Sequence, residues 1–593
     1  NEAFRSFGKT PDMIDYFNNL TGVSYPFEKY DQIIVSEFMW GGMENITLTH
    51  NSDRTMFDSK AHPDHSSDGL VAHELAHQWF GDMITTRNWA NIWLNEGFAT
   101  FFSRLYLTKD RGNDEGDYIR LGEIRSFKRA DKNKRRPTVD FVYDEPFELF
   151  SSHVYAKGSL ILTMLRDVLG EEGFWRSIRK YTNENKLKNV ETSDLKKTIE
   201  MTTGQNLDWF FKQWLYEPGF PNYDVSWNYN QRKKELSIHV KQTQDLKTTS
   251  LFKMPIKIIV DNGEKKEHVI WVDNLDSVYK IKSDKRPKMV IFNSGQRVPS
   301  NLKMQKSVAD LKYQLQNASN ALDRIWAAHE LSKKKGRKVV EYALMEAAKR
   351  DLFWAVRSEA YSALGRLKTN IVSEDIEWVK RKEVDNRVKR SFVRILKNQK
   401  NNLEVSKFLE DIIISDTSYY AISESIRTLA IVDTAKAKPH VDKLLNTESH
   451  NDVIRKSTLS YFSQVKTTSN YMRLKELAKY GNFSWPSRPT IIYELSKYQK
   501  KRPSTFDFIL SFFDDNDRFV RMAVIAQVGN YGSESNYSLL DIMVEKDPVL
   551  SINASRAKSK IENRKNSTSK RSDSKTVEFL DKKLKAIKNI LND

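Results

Sequence analysis

Leu70, Val71, Leu75, Ala76, Trp79 and Phe80 recur at intervals of three and four residues, the spacing of one buried helix face. Ser66-Ser67-Asp68 just upstream offers N-cap oxygens, so a helix is predicted to start there. Helical, Trp-rich sequence runs on to Trp214-Leu215-Tyr216, and Glu217-Pro218-Gly219-Phe220-Pro221 breaks it. From Tyr223 to about Val298 the period changes to two, with β-branched enrichment in Leu236–Val240, Ile256–Val260, His268–Val272 and Met289–Phe292. Asp261-Asn262-Gly263 between two of these runs is a hairpin signal. A small β-sandwich is expected, with His239 and His268 as ordinary strand residues.

From about Ser307 to Glu562 the pattern is helical again and weakly repetitive. Val356, Val388, Ile422 and Ile454 stand 32, 34 and 32 residues apart, and Val520 follows after 66. That period predicts helix pairs stacked as a HEAT-like solenoid, with an irregular helical bundle as the alternative. Asn566–Ser574 is polar, and Val577, Leu580, Leu584, Ile587 and Leu591 then mark an amphipathic, Lys-rich helix. The expectation is a multidomain α+β chain: a mostly helical domain over 1–220, a β-sandwich over 222–302, a HEAT-like α-superhelix over 303–565, and a polar linker with a C-terminal helix over 566–593.

The 593 residues are enough for three or four ordinary cores. There is no cysteine, which removes disulfides and thiolate chemistry and fits a reducing compartment. That leans toward the cytoplasm, but the chain starts at Asn1 rather than Met, so the absence of a visible signal peptide leaves the compartment open. No apolar run approaches the ~20 residues of a membrane span. The net charge of +18 is unevenly placed: residues 1–220 hold 27 Lys and Arg against 33 Asp and Glu, a balance of −6, leaving +24 for the remainder. An acidic region of this kind suits a ligand with a protonated amine. The basic run Arg125–Arg136 reads as a solvated loop, so no nucleic-acid partner is expected.

The densest chemistry is His73-Glu74-Leu75-Ala76-His77, followed after seventeen residues by Asn95-Glu96-Gly97. Two His four apart on a helix share a face, so both imidazoles can reach one zinc ion at ~2.0 to 2.1 Å. Glu96 completes the ligand set of His73, His77 and Glu96, for one zinc per chain. Glu74 at the rim can act as a general base on water activated by the metal. The plain alternative, two polar positions on an ordinary helix, leaves the paired Glu residues unexplained. Trp40-Gly41-Gly42-Met43-Glu44-Asn45 follows a strand-like run. Taken alone its glycines read as a turn and Glu44 as a solvated charge, although adjacent glycines also let backbone approach an extended ligand closely.

With these segments the chain resembles the gluzincin aminopeptidases, the family of aminopeptidase N, the puromycin-sensitive enzyme, tricorn-interacting factors and leukotriene hydrolase. The likeness rests on Tyr25–Tyr30, Gly41–Asn45, His73–Asp82, Trp93–Thr100 and Tyr155-Ala156-Lys157-Gly158. It implies a thermolysin-like catalytic domain and a superhelix that caps the active site. It also implies that His73, His77 and Glu96 bind zinc, that Glu74 is the base, and that Glu44 holds the substrate's free α-amine. Gly41, Gly42 and Met43 would line the peptide backbone, Trp40 would border the pocket for the first side chain, and Tyr155 would stabilise the oxyanion. Two departures stand out. Gly42 replaces the alanine of most members, and the family's N-terminal β domain is missing ahead of Asn1. The resulting reading is a monomeric zinc aminopeptidase acting on peptides with a free N-terminus. A thermolysin-type endopeptidase and a catalytically inactive or weakly active scaffold on the same fold are the competing readings.

Overall fold

In the computed structural model, which describes residues 2–566, the first apolar stripe folds as helix α1 (Asp68–His77). Val71, Ala72, Leu75 and Ala76 on this helix are fully buried, at roughly 1.5 to 3 kcal/mol for each large side chain. The cap differs in detail from the sequence expectation: Ser66 Oγ accepts the Asp68 N–H at 3.2 Å, while Ser67 Oγ donates to the Ser6 carbonyl at 2.7 Å. Ser67 is thus spent on tethering the helix to the N-terminal segment. Helix α2 (Trp93–Arg111) packs on α1, on α3 (Asn113–Asn133) and on α4 (Ala156–Glu184). Phe17, Trp79, Phe80, Phe98 and Phe102 interlock between them, with Phe80 and Phe98 stacked at 4.4 Å and Phe17 edge-on to Trp79 at 5.9 Å. The basic run Arg125–Arg136 is not a solvated loop for most of its length, because α3 continues to Asn133 and Asp131 and Arg136 are buried.

Ahead of α1 lies a three-stranded sheet of β1 (Asp31–Val35), β2 (Gly42–Met43) and β3 (Leu48–Ser52). β3 is central, parallel to β1 and antiparallel to β2, with Gly42 opposite Asn51 and Met43 opposite His50. β2 is therefore an edge strand.

The period-two region forms two sheets. One runs Asp276–Lys282, Glu235–Gln242, Asn222–Asn230, Asn301–Met304; the other runs Met289–Phe292, Met254–Asp261, Lys265–Val272. Tyr223 of the first lies edge-on to Phe292 of the second at 5.2 Å, so the inward faces meet as a sandwich. The hairpin signal is realised: Asp261 pairs with Lys265, and Gly263 turns the chain at φ +116°.

The rest is helical. The chain divides into two units, residues 1–399 and 400–593. In the first, helices Ala321–Leu331, Trp354–Leu367 and Asn386–Ile395 pack in succession; in the second, Tyr419–Val432, Val453–Gln464, Arg488–Ser496 and Arg518–Tyr531 do the same. Val356, Val388, Ile454 and Val520 are buried as the repeat requires, but Ala421 rather than the half-buried Ile422 takes the third helix position. A second periodic residue explains the stacking better. Arg324 and Arg357, and likewise Arg488 and Arg521, stand 33 apart. Each binds an acid 26 or 27 residues later, Asp351, Glu383, Asp515 and Asp547 respectively, and a backbone carbonyl ahead of its own helix, in the loop for Arg324, Arg357 and Arg521 and on Ala478, the last residue of the preceding helix, for Arg488. Each arginine thereby ties its helix to the segments on both sides. Among the described residues no helix is long and apolar enough to cross a membrane. The stripe expected from Val577 to Leu591 lies outside the described residues.

The buried Arg488–Asp515 pair, with both side chains over nine-tenths covered, gives a stability test. Arg488→Leu is expected to cost about 3 to 5 kcal/mol by leaving Asp515 uncompensated. Arg473→Leu, which breaks only the exposed contact with Asp442, should cost less than about 1 kcal/mol. Denaturant unfolding of the two variants measures the contrast.

Candidate functional site

A cleft of about 730 Å³ is lined by Trp40 to Glu44, by His73, Glu74 and His77 of α1, by Glu96 in the first turn of α2, and by Tyr155 immediately before α4. Every candidate residue named from the sequence borders it. His73, His77 and Glu96 point their donors at one spot. His73 Nε2 and His77 Nε2 are 3.2 Å apart, and Glu96 Oε2 lies 3.2 Å from the first and 3.3 Å from the second. Ligand atoms of a tetrahedral zinc site at ~2.0 to 2.1 Å from the ion stand about 3.3 to 3.4 Å from one another, so the triangle has the size zinc needs.

The neighbours set the protonation pattern. His77 Nδ1 donates to the Phe80 carbonyl at 3.0 Å, which leaves Nε2 as the nitrogen with a lone pair facing the cleft. Burial alone would raise the pKa of Glu96, but His77 and His73 outweigh it and hold the carboxyl far below its usual range. Burial opposes a charge on His77, yet Glu44 and Glu96 raise its pKa well above the ordinary value. Both shifts have one meaning: a buried cluster with an excess of carboxylates draws a cation. Glu74 is pushed up to about 8, chiefly by burial, with His77 opposing and Glu44 and Glu96 reinforcing. Its carboxyl leans over the edge strand, and a Cβ at Gly42 would stand only 2.4 Å from Glu74 Oε1. The departure from alanine at position 42 is therefore the space that this placement of Glu74 occupies.

Glu96 and Tyr155 meet because α2 and α4 meet. The Tyr155 hydroxyl donates to Glu96 Oε1 at 2.7 Å, and burial raises its pKa further above the usual tyrosine value, Glu96 adding to the effect. A Cβ on Gly97 would come 2.9 Å from Gly158 Cα, so the two helices touch backbone to backbone one residue past Glu96 and three past Tyr155. Lys157 of the same motif turns away from the cleft. It is fully buried, its Nζ lies 5.3 Å from the Phe127 ring centre, and burial lowers its pKa to about 7.

Some lining residues were not foreseen. Phe147 stacks on Trp40 at 6.0 Å with planes 14° apart, and Phe150 links Phe147 to Tyr155 and Trp89. Nothing in the sequence set them apart from Phe141, Tyr143 and Leu149 in the same loop. Gln78 and Asp82, inside the segment that continues His77, carried no periodic signal at all.

Comparison with known proteins bears on the class of this region. Residues 5–214 match the family described as Peptidase family M1 domain. Over 225 residues the chain is 34% identical to tricorn protease-interacting factor F2 of Thermoplasma acidophilum, a stretch covering 35% of this chain and 28% of that protein. It is 33% identical over 216 residues to probable aminopeptidase 1 of Sulfurisphaera tokodaii, with the same two shares. The matched stretch thus spans little more than a quarter of either relative. The fold of aminopeptidase A of Legionella pneumophila, solved with aspartic acid, covers 95% of this chain and 74% of that one at a TM-score of 0.73 and 17% identity. That likeness is one of fold. Within the matched segment the His-Glu-x-x-His helix and the Asn-Glu-Gly helix are the α1 and α2 described above.

The glycine contact is testable without substrate. Gly97→Ala should force α2 and α4 apart, destabilise the protein by about 1 to 3 kcal/mol and lower bound zinc below one per chain. Gly122→Ala, in a helix interior with nothing within 4 Å, should instead stabilise by about 0.5 to 1 kcal/mol and leave zinc unchanged. Thermal unfolding and metal analysis read both.

Proposed function

We propose that the protein is a zinc aminopeptidase that removes single residues from peptides with a free N-terminus. The observation that carries this reading is the position of Glu44. It directly follows the edge strand at the cleft wall, its Oε1 3.9 Å from His77 Nδ1. An amine held by Glu44, this close to the ligand His77, would bring the first peptide bond of the substrate to the cluster. An endopeptidase needs that same stretch of cleft open to chain on both sides.

His73, His77 and Glu96 would hold the zinc, and the ion supplies Lewis acidity that activates water and polarises a carbonyl. The chain's own groups do the remainder. Glu74, buried beside the ligand residues, takes the proton from the attacking water and delivers it to the leaving amine. Tyr155 OH, next to the ligand Glu96, is within reach of the same spot and donates to the developing oxyanion. The free edge of β2 offers backbone N–H and C=O groups to an extended substrate, and the glycines let it approach. Trp40 and Phe147 form an aromatic wall for the first side chain. The helical α1–α2 core we assign as thermolysin-like, and the 33-residue arginine period supports a HEAT-like superhelix. No nucleic-acid partner is part of this reading.

Because Glu74 is assigned as base and Glu96 as ligand, Glu74→Gln should lower turnover by at least about a thousandfold with one zinc retained, whereas Glu96→Ala should lose the metal as well. Near-normal activity of zinc-loaded Glu74→Gln would overturn the mechanism.

The exopeptidase restriction is tested separately. Glu44→Ala should lower kcat/KM on a free-amine peptide by about tenfold to a thousandfold, and N-acetylation of that peptide should be comparably damaging to the wild type. Efficient cleavage of the acetylated peptide would instead identify an endopeptidase.

A further inference from the structure

Gln78 is completely buried directly after the ligand His77, and the mechanism above gives it no task. Its amide is engaged at both ends. Nε2 donates to the Glu44 carbonyl oxygen at 3.0 Å and to Asp82 Oδ2 at 2.6 Å, while Oε1 accepts the Thr47 N–H at 3.2 Å and lies 3.1 Å from the Tyr25 hydroxyl. The orientation is unique, since a backbone carbonyl only accepts and a backbone N–H only donates. Asp82 is half-buried, and the burial it has raises its pKa to about 7.

The segment held in this way is strained. Thr47 has φ +64°, a left-handed conformation that β-branched residues rarely adopt, and its N–H is the one Gln78 receives. Such conformations persist where surrounding contacts over-determine them, and they concentrate at sites that must be positioned. Leu48 N–H closes a turn onto Asn45 O at 3.0 Å, so Glu44 enters the same turn that Gln78 clamps from outside. One side chain, at the C-cap of α1, thus fixes the backbone at Glu44 and three residues beyond it.

We infer that Gln78, oriented by Asp82, is a positioning residue that sets the distance between the amine anchor Glu44 and the metal ligands, and so determines how strongly the enzyme prefers a free N-terminal amine. This rests on the reading of Glu44 as the amine anchor. Gln78 touches no reacting atom. Its loss should act on binding of the amine and spare both the metal and the chemical step.

The test compares a leucyl-coumarin amide with its analogue lacking the α-amine, the readout being the ratio of kcat/KM between the two. Gln78→Met, of similar length but unable to hydrogen-bond in this way, should lower that ratio at least about tenfold, mainly through KM of the amine substrate, with one zinc per chain and kcat within about threefold. Asp82→Leu should lower the ratio in the same direction, and Asp82→Asn, whose amide oxygen accepts the same hydrogen bond, should restore it. An unchanged ratio in zinc-loaded Gln78→Met, where Glu44→Ala abolishes the preference, overturns the proposal and leaves the anchor reading standing. If Glu44→Ala itself keeps the preference, the anchor reading fails and takes this one with it. Should Gln78→Met fail to hold zinc, zinc-loaded Asp82→Leu decides, and a wild-type ratio there overturns the proposal.

Discussion

The site depends on one backbone contact, that of Gly97 with Gly158. Interhelical distances are ordinarily 8 to 10 Å because side chains intervene. Two facing glycines remove them and let α2 and α4 touch. Glu96 precedes one glycine by one residue and Tyr155 precedes the other by three, so closing this contact brings a carboxylate and a phenol within 2.7 Å in a buried setting. Neither would be stable alone there: the carboxylate needs the two imidazoles, and the hydroxyl needs the carboxylate. The contact also explains why both motifs end in glycine, since side-chain chemistry alone would not ask for one.

Charge then fixes what the assembled cluster can hold. Glu44, Glu74 and Glu96 surround His77, which carries at most one positive charge, and Asp82 lies just behind. Water is largely excluded, so the imbalance cannot be relieved by solvent. A divalent cation relieves it at the point where three donors already stand at tetrahedral spacing. The same excess favours a protonated amine at Glu44, which links metal binding and substrate choice to a single electrostatic source.

The parts legible in the sequence are those where short-range chemistry and local spacing coincide. His73, Glu74 and His77 lie within five residues on one helix, and the alternation of Ile256–Val260 followed by Asp261-Asn262-Gly263 predicts its own hairpin. The helical repeat was read from apolar anchors, which put Ile422 where Ala421 is buried. Many apolar residues can fill a helix interface, so such anchors drift by a position. The arginines 33 apart keep stricter phase because each must meet two partners at once, and they were the better signal. Gln78, Phe147 and the touching glycines were not legible. Their partners lie 34, 107 and 61 residues away in sequence, and nothing local marks a long-range contact.

The loop before α1 shows how the helical repeat reaches that helix within the first unit. Arg390 continues the 33-residue series of Arg324 and Arg357, yet it extends to Asp64, whose side chain is fully buried, four residues ahead of α1. Arg387, one turn earlier, lies over the Trp354 ring at 3.7 Å, and Trp354 Nε1 donates to Glu115 on α3 at 2.8 Å. At the other edge of that loop Asp68, the first residue of α1, is paired with Lys9 and Arg111. The N-terminal end of the helix that presents His73 and His77 is therefore held by charges from the N-terminal segment and from α2, and the loop that feeds it by a charge from a repeat helix. A residue type that elsewhere in the series only ties one helix to the next has here been turned onto the catalytic region, so the spacing of the repeat and the placement of the site constrain each other.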